Sequence, residues 1–132
     1  MKRKYKIFSE LSGGDLLPIE FFDLPFVPKR VFTVANVPKN DIRGQHAHYK
    51  TQQIFTCING SILVGLDDGK TKCEITLNKG DSILIKNMIW DWQKFLTGND
   101  LALIICSTAY DINDYIENIS EFYRITQSKI II

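Results

Sequence analysis

The sequence predicts an all-β fold, an antiparallel barrel or sandwich with one or two short helices at its C-terminus. Short runs rich in β-branched and aromatic residues recur at fairly even spacing between Arg30 and Ser107. Clusters of Gly, Asn and Asp, which favour turns, separate these runs. Only the tail breaks the pattern. The 132 residues are expected to form one domain, 1–132.

The N-terminal part contains three predicted strands. Tyr5 to Phe8 alternates polar and apolar residues and precedes a turn at Ser12-Gly13-Gly14-Asp15. Leu16 to Phe22 is a second short strand, and Pro18 within it favours an edge or exchanged position. Arg30 to Ala35 is the first long β-rich run.

The central part contains a predicted hairpin. Gln53 to Ile58 and Ser61 to Leu66 flank Asn59-Gly60, a pair that suits a type I′ turn. Further strands are predicted at Thr71 to Leu77, Ser82 to Ile85, Asn87 to Phe95 and Leu101 to Ser107.

The tail predicts a helix. Between Asp111 and Ile125 the apolar residues recur at spacings of three and four, as on one helix face. Asp111 or Asn113 is the expected cap, since short polar side chains accept the free N–H groups of a first turn.

Composition excludes several classes of function. A net charge of +1 and the lack of a long basic run predict no binding to nucleic acid. The basic N-terminus is not followed by an apolar stretch, and no run is long enough to span a membrane, so we expect a cytoplasmic protein. Cys57, Cys73 and Cys106 are widely spaced and fit free structural thiols of a reducing compartment.

The chemistry of the chain is concentrated in Arg43-Gly44-Gln45-His46-Ala47-His48, which holds its two histidines. Residues i and i+2 of a strand project from the same face, so we expect both imidazoles in one cavity. Imidazole exchanges protons near neutral pH and also binds metals. The pair therefore predicts either a metal site or a proton-transfer site.

The hypothesis of a metal site requires further ligands. An HxH strand followed by Gly80-Asp81 resembles the two-motif layout of the cupin superfamily. This resemblance implies an antiparallel cupin-type jelly-roll barrel, and the metal-binding members of the superfamily add a glutamate and a third histidine. Here the glutamate position falls in Thr51-Gln52-Gln53, and the chain has no third histidine. Asp91 is the remaining oxygen ligand, and two histidines with one carboxylate form a known iron site. Purely structural histidines are a further alternative.

A closer resemblance favours metal-free chemistry. The chain resembles the sugar nucleotide 3,4-ketoisomerases, which act on dTDP-4-keto-6-deoxy-D-glucose, from about Ile19 to Tyr123. The resemblance rests on Lys29-Arg30-Val31, the RGxHAH core, Gln53 to Ser61, Leu66 to Gly69, Ser107 to Asp111, Asp114-Tyr115-Ile116 and Phe122. It implies a cofactor-free, metal-free isomerase that moves a ketone from C4 to C3 of the hexose, in deoxyamino sugar and surface glycan biosynthesis. The implied product is the 3-keto galactose epimer, which is favoured, or the glucose epimer. The resemblance also implies a homodimer that exchanges N-terminal strands.

The resemblance implies a set of site residues. His46 would be the base at C3, and His48 would move the proton from the C3 hydroxyl to the C4 oxygen. Arg30 and Arg43 would stabilise negative charge or hold the diphosphate. The remaining expected substrate contacts are Gln53, Trp90 (or its neighbour Trp92), Asp91 and Tyr110.

Three other functions stay open from the residues. A 3,5-epimerase of sugar nucleotides is also a metal-free cupin that uses histidine, although the HAH spacing fits it poorly. A metal-dependent cupin oxygenase and a ligand-binding module without catalysis are the others. The chain departs from the pattern of its relatives at three places. It has Gln52 where many of them carry glutamate, and Trp90-Asp91 where they often carry tryptophan followed by histidine. Beside Gly13-Gly14 it lacks the arginine or tyrosine that some of them have.

Overall fold

The computed structural model describes residues 2–5, 7 and 13–127, and this part of the chain is almost entirely β-structure. Its ten strands are β1 (Lys2–Lys4), β2 (Arg30–Ala35), β3 (Ile42–His48), β4 (Gln53–Asn59), β5 (Ser61–Asp67), β6 (Lys72–Asn78), β7 (Asp81–Ile85), β8 (Trp90–Phe95), β9 (Leu101–Cys106) and β10 (Tyr115–Ile116). One helix, α1 (Ile119–Gln127), and two 3-10 turns, Phe21–Asp23 and Ile112–Asp114, complete it.

The strands form two antiparallel sheets of five. One sheet has the order β1-β7-β4-β9-β2 and the other the order β10-β3-β8-β5-β6. Apolar side chains from the facing sides fill the space between them, as expected for alternating strands that bury one face. The predicted all-β jelly roll is confirmed. The central members of this core are Phe55, Cys57, Ile62, Val64, Leu77, Ile83, Phe95, Ala102 and Ile104.

The predicted hairpin at Asn59-Gly60 is wrong. β4 pairs with β7 and β9, whereas β5 pairs with β6 and β8, so the chain crosses from one sheet to the other at this point. Gly60 has a φ of +83°, but Asn59 does not take the positive φ that a type I′ turn requires. Asp100 fixes the crossing, because its side chain accepts a hydrogen bond of 2.8 Å from the backbone N–H of Ser61.

The N-terminal predictions also need correction. The strand predicted at Leu16 to Phe22 is reduced to an isolated bridge at Leu16 followed by the 3-10 turn. Pro18 has no N–H to donate to a neighbouring strand, which explains why regular pairing does not extend through it. The first strand is Lys2–Lys4 rather than Tyr5 to Phe8, of which Lys6 and Phe8 lie outside the described residues. It pairs with β7 of the same chain.

The tail is only partly helical. Tyr115 and Ile116 form β10 and pair with His48 and Ala47, so the helix predicted across them is wrong. Asp111 does act as a cap, but of the 3-10 turn, where its side chain accepts from the Asn113 N–H. The carboxamide of Asn118 takes this role at α1, accepting from the Glu121 N–H at 3.1 Å.

The helix α1 covers the outer face of the sheet that carries the histidines. Phe122 is fully buried there and forms a second small core with Ala47, Trp90 and Ile116. Within the described part of the chain, no helix is long and apolar enough to cross a membrane. Cys57 and Cys106 are buried free thiols and Cys73 is an exposed one.

Candidate active site

A β-bulge in β3 sets the direction of the site residues. Gly44 lies opposite Trp92 and His46 lies opposite Asp91, so Gln45 is an extra residue between two paired positions. One extra residue reverses the alternation of side chains along a strand. Arg43 and His46, which an unbroken strand would direct to opposite faces, therefore line the same cavity.

Glycine is required at the start of the bulge. Gly44 has a φ of +85°, and Gln45 follows with +62°. A Cβ atom on Gly44 would lie 2.7 Å from the Gln93 Oε1 atom, 3.1 Å from the Trp92 Cα atom and 3.2 Å from the Asp91 carbonyl oxygen. Any other residue at this position would be strained by the positive φ, and its Cβ atom would lie too close to the backbone of Trp92 and Asp91.

Beyond the bulge, the two imidazoles and a tyrosine form one cluster. The ring centroids of His46 and His48 are 4.9 Å apart. The ring of Tyr115 lies 5.3 Å from His46 and 4.5 Å from His48. The predicted cavity with both histidines therefore exists, and β10 supplies a third ring. Sequence periodicity missed Tyr115 as a site residue because it placed this residue on a helix face.

The cluster joins two connected spaces. We call the space around His46 the inner cavity; its polar lining is Arg43, His46, Gln53, Asp91, Gln93 and Tyr115. We call the space around His48 the outer cleft; its polar lining is Arg30, His48, Thr51, Gln53, Thr108, Tyr110, Asp111 and Tyr115. Gln53 and Tyr115 line both, so the two spaces are contiguous.

Burial keeps both imidazoles neutral. The pKa of His48 is lowered to about 4: burial is the largest cause, positive charge on His46 and Arg30 acts in the same direction, and the carboxylate of Asp114 opposes them. Burial also lowers the pKa of His46, and the carboxylate of Glu117 opposes this. At neutral pH both rings are therefore free bases that can accept a proton.

Asp114 organises the loop that follows His48. Its carboxylate accepts hydrogen bonds from the N–H of Lys50 at 2.8 Å, the N–H of Thr51 at 3.1 Å and the Thr51 hydroxyl at 2.5 Å. The side chain is buried, and three donors compensate for the burial of its charge. Sequence reasoning did not select Asp114, because an acid at the end of a loop has no distinctive spacing.

Asp91 lies directly across the strands from His46. Its side chain is 1% exposed, and Oδ1 lies 3.9 Å from the His46 Nε2 atom. Oδ1 accepts a hydrogen bond of 2.5 Å from the Gln93 carboxamide. Oδ2 is buried and has no hydrogen-bond partner among the described residues. Burial raises the pKa of Asp91 to about 7, against the opposing effect of the Gln93 hydrogen bond.

The two predicted arginines line different spaces. The Arg30 guanidinium lies 4.6 Å from the ring centroid of Phe32 and 5.0 Å from that of Tyr110, at the outer cleft. Tyr110 is 58% exposed and leaves ring surface free for a planar ligand. Arg43 lines the inner cavity.

The structure does not bring Trp90 into this group. Asp91 and Gln93 face the interior of the barrel, so their neighbours Trp90 and Trp92 on β8 project to the opposite side of the sheet. Trp90 is 6% exposed, and its ring centroid lies 5.8 Å from that of Phe122 on the helix side. Trp90 therefore leaves the set of substrate contacts, because its side chain is part of the second core.

The histidines do not complete a metal-ligand set. Among the residues that the structure describes, no three His, Cys, Asp or Glu side chains are arranged to hold a metal ion. The 3.9 Å between His46 and Asp91 is the nearest approach of a carboxylate to the pair.

Comparison with protein families identifies relatives over nearly the whole chain. Residues 3–127 match the family model described as FdtA, WxcM-like, C-terminal. The TDP-4-oxo-6-deoxy-α-D-glucose-3,4-oxoisomerase of Aneurinibacillus thermoaerophilus is 34% identical over 115 residues, which cover 86% of this chain and 83% of that protein.

Solved structures agree with this match. The TDP-fucose-3,4-ketoisomerase WlaRA of Campylobacter jejuni superposes with a TM-score of 0.85 at 30% identity, covering 99% of this chain and 98% of that one. A histidine-to-asparagine mutant of the 3,4-ketoisomerase QdtA of Thermoanaerobacterium thermosaccharolyticum, in complex with TDP-4-keto-6-deoxyglucose, gives a TM-score of 0.89 at 29% identity. That match covers 100% of this chain and 96% of the other.

Proposed function

The chain belongs to the FdtA family and is a dTDP-sugar 3,4-ketoisomerase, and we propose that it converts dTDP-4-keto-6-deoxy-D-glucose into dTDP-3-keto-6-deoxy-D-galactose. The observation that carries the mechanism is the pair of neutral imidazoles, 4.9 Å apart, on one wall of a cavity. Moving a ketone by one carbon requires one group that takes a proton from carbon and another that moves a proton between oxygens. Two adjacent bases meet this requirement.

We assign the two steps to separate histidines. His46 takes the proton from C3, and the electron pair of that C–H bond forms the C3–C4 double bond of an enediol. His48 carries the C3 hydroxyl proton to the C4 oxygen. Return of the first proton to C4 completes the isomerisation, so no oxidant or reductant is consumed. Arg43 in the inner cavity is the cation that offsets negative charge on the enediol oxygens.

The configuration at C4 follows from which face of the sugar receives the proton. H3 of the substrate lies on the ring face opposite the C6 methyl group. H4 of a galactose lies on that same face, and H4 of a glucose lies on the other. A base that removes H3 and returns it on the same face therefore makes the galacto product.

The cavity favours delivery on the same face. The two histidines assigned to proton transfer, and Asp91 and Tyr115 beside them, all belong to the sheet of β3, β8 and β10. The opposite wall of the inner cavity, as far as the structure describes it, presents an amide and apolar groups: Phe32, Val34, Gln53, Phe55 and Ile104. The Campylobacter relative is named for TDP-fucose, and fucose is a 6-deoxygalactose.

The outer cleft fits the nucleotide end of the substrate. The Arg30 guanidinium suits a phosphate, with which it can form paired hydrogen bonds. The exposed ring of Tyr110 beside it suits the thymine base. Gln53 lines both spaces, which supports its proposed contact with the sugar.

We test this by NMR with the chelator-treated protein and dTDP-4-keto-6-deoxy-D-glucose. In heavy water, deuterium should enter the sugar as a 3-keto product appears. A 3,5-epimerase would instead exchange H3 and H5 and keep the ketone at C4. In ordinary water, a small coupling between H4 and H5 identifies the galacto product, and a large diaxial coupling would refute the same-face argument. Absence of turnover, or turnover only after iron is added, would refute the proposed function.

A single substitution tests the assignment of the base. His46→Asn keeps a polar side chain of similar shape but cannot accept a proton. We expect no measurable isomerisation and nearly unchanged dTDP affinity by calorimetry, because the outer cleft is untouched. An active His46→Asn enzyme would remove His46 as the base at C3.

We also propose a homodimer. Large apolar side chains are exposed on β2 and on the segment that leads into it, and a second copy of the chain would cover them: Phe21, Phe22, Val27 and Val31 are 60–83% exposed. Light scattering should give twice the chain mass, and Phe22→Glu should shift it towards the monomer. The exchange of N-terminal strands and the cytoplasmic location, both implied earlier, stay predictions.

A further inference from the structure

Asp91 is a buried acid that the two-histidine mechanism does not use. Substrate binding alone does not explain its placement, because Oδ2 is out of contact with solvent and has no hydrogen-bond partner in the described part of the chain. An unpaired buried carboxyl group destabilises a fold. Such a group usually has a function that offsets this cost.

The nearest ionisable group to this acid is the proposed base. The β3 bulge sets His46 opposite Asp91 in the register, and Oδ1 lies 3.9 Å from Nε2. A small movement of either side chain would bring the two groups into hydrogen-bond contact. Gln93 holds the carboxyl group from the other side through a 2.5 Å hydrogen bond to Oδ1.

We propose that Asp91 is a positioning residue for His46, which orients the imidazole and balances the positive charge that the ring acquires when it takes the carbon proton. The inference rests on the proposed function, since it requires His46 to be the base at C3. In that step the C3–H bond breaks, its electron pair enters the C3–C4 bond, and His46 becomes an imidazolium. The proton stays on His46 for delivery to C4, and the carboxylate of Asp91 remains ionised beside it.

The charge state of Asp91 then controls the rate. Its pKa, raised by burial to about 7, means that the group changes from acid to carboxylate across neutral pH. The other ionisable groups at the inner cavity are His46 and Arg43 from β3 and Tyr115 from β10. Arg30 from β2 and His48 line the outer cleft instead, and β5 presents the apolar Leu66 opposite Asp91.

The experiment compares the wild type with Asp91→Asn, which has the shape of the protonated acid at every pH. For the wild type we expect kcat to rise with pH through about 7. For Asp91→Asn we expect kcat to fall about 10- to 100-fold at pH 8, equivalent to one or two pKa units of lost basicity, and to be flat between pH 6 and 8. KM should hardly change. A raised KM with an unchanged kcat would show a direct substrate contact and overturn the inference.

A second measurement does not depend on turnover. The carboxyl carbon of Asp91 should titrate near pH 7 in the free wild-type protein, and the ring signals of the neutral His46 should shift in the same step because the carboxyl group ionises beside them. The His46 step should disappear in Asp91→Asn. If His46 titrates identically in both proteins, the inference fails even when isomerase activity is intact. If the coupled titration is present without isomerisation, the proposed function fails instead.

A matched control separates charge from structural damage. Asp100 is equally buried, 2% exposed, but its carboxylate caps the Thr97–Asp100 turn. Asp100→Asn should lower stability and leave the pH profile of kcat with the same shape as in the wild type. A flat profile in Asp100→Asn as well would attribute the effect to loss of structure and overturn the inference.

Discussion

Replacing Gly44 by alanine tests whether the bulge in β3 builds the active site. The new Cβ would meet Gln93 Oε1 at 2.7 Å and the backbone of Trp92 and Asp91 at 3.1 and 3.2 Å. The Gln93 side chain can move away, but the two backbone positions belong to β8, which is held on both sides by β3 and β5. The alanine therefore fits only if β3 moves.

The expected loss of stability has two parts. A left-handed φ of +85° costs a residue with a Cβ about 1–2 kcal/mol relative to glycine. Forcing a methyl group against packed backbone costs a further 1–3 kcal/mol or so. Together they lower the free energy of unfolding by about 2–5 kcal/mol, a large share of the total for a domain of this size.

Gly98→Ala is the matched control. Gly98 has nearly the same φ, +86°, but a Cβ there would find no atom closer than Lys39 Cβ at 3.7 Å. Urea unfolding of this variant should show only the backbone cost, about 1–2 kcal/mol. The difference between the two variants measures the contact with β8.

The second measurement on Gly44→Ala and Gly98→Ala is kcat. To relieve the backbone contacts of 3.1 and 3.2 Å, β3 must move by a few tenths of an ångström, and His46, two residues after Gly44, moves with it. A misplacement of about 1 Å costs roughly 100-fold in rate, so this smaller shift should lower kcat of Gly44→Ala several-fold while Gly98→Ala stays near the wild type. Equal stabilities in the two variants together with an unimpaired kcat in Gly44→Ala would refute the role of the bulge.

Two further predictions concern aromatic residues and pH. Tyr110→Ala should raise KM several-fold and change the free energy of unfolding by less than about 0.5 kcal/mol. Trp90→Phe should lower the free energy of unfolding by about 1–3 kcal/mol and leave KM unchanged. A raised KM in Trp90→Phe with unchanged stability would return Trp90 to the substrate site. Asp91 binds its proton more tightly in the folded state than in the unfolded state, so its contribution to stability is lost as pH rises from about 4 to 7. Urea unfolding should therefore show Asp91→Asn gaining stability over the wild type, by about 2 kcal/mol between pH 5 and 8, and a gap independent of pH would contradict the raised pKa.

The local pattern of polar and apolar residues predicts where most strands lie, but not which strands pair with each other. Arg30 to Ala35 was predicted with the bounds that the structure shows, because a strand that buries one face alternates in its own sequence. The Asn59-Gly60 turn was assigned to a hairpin, yet its two strands lie in different sheets. The sequence of two strands joined by a short turn does not show which neighbouring strands each of them pairs with.

The tail shows a similar limit. Tyr115 and Ile116 fit a helical spacing, but pairing with His48 and Ala47 holds them in a strand. Long-range pairing overrides a weak local preference. This is why Tyr115 is absent from the predicted site, although its ring contacts those of both histidines and lines the outer cleft.

By itself, the sequence determined the two imidazoles, the acid Asp91 and the absence of further histidine ligands, because residue identity and short-range spacing decide which chemistry is present. The resemblance of its RGxHAH segment then pointed to the substrate class. Only the tertiary structure decided that Arg43 and His46 share a face, that Asp91 turns inward while Trp90 turns out, and that burial keeps both histidines neutral. These depend on one extra residue in β3 and on the strands packed against it, which bring together residues that are far apart in the chain.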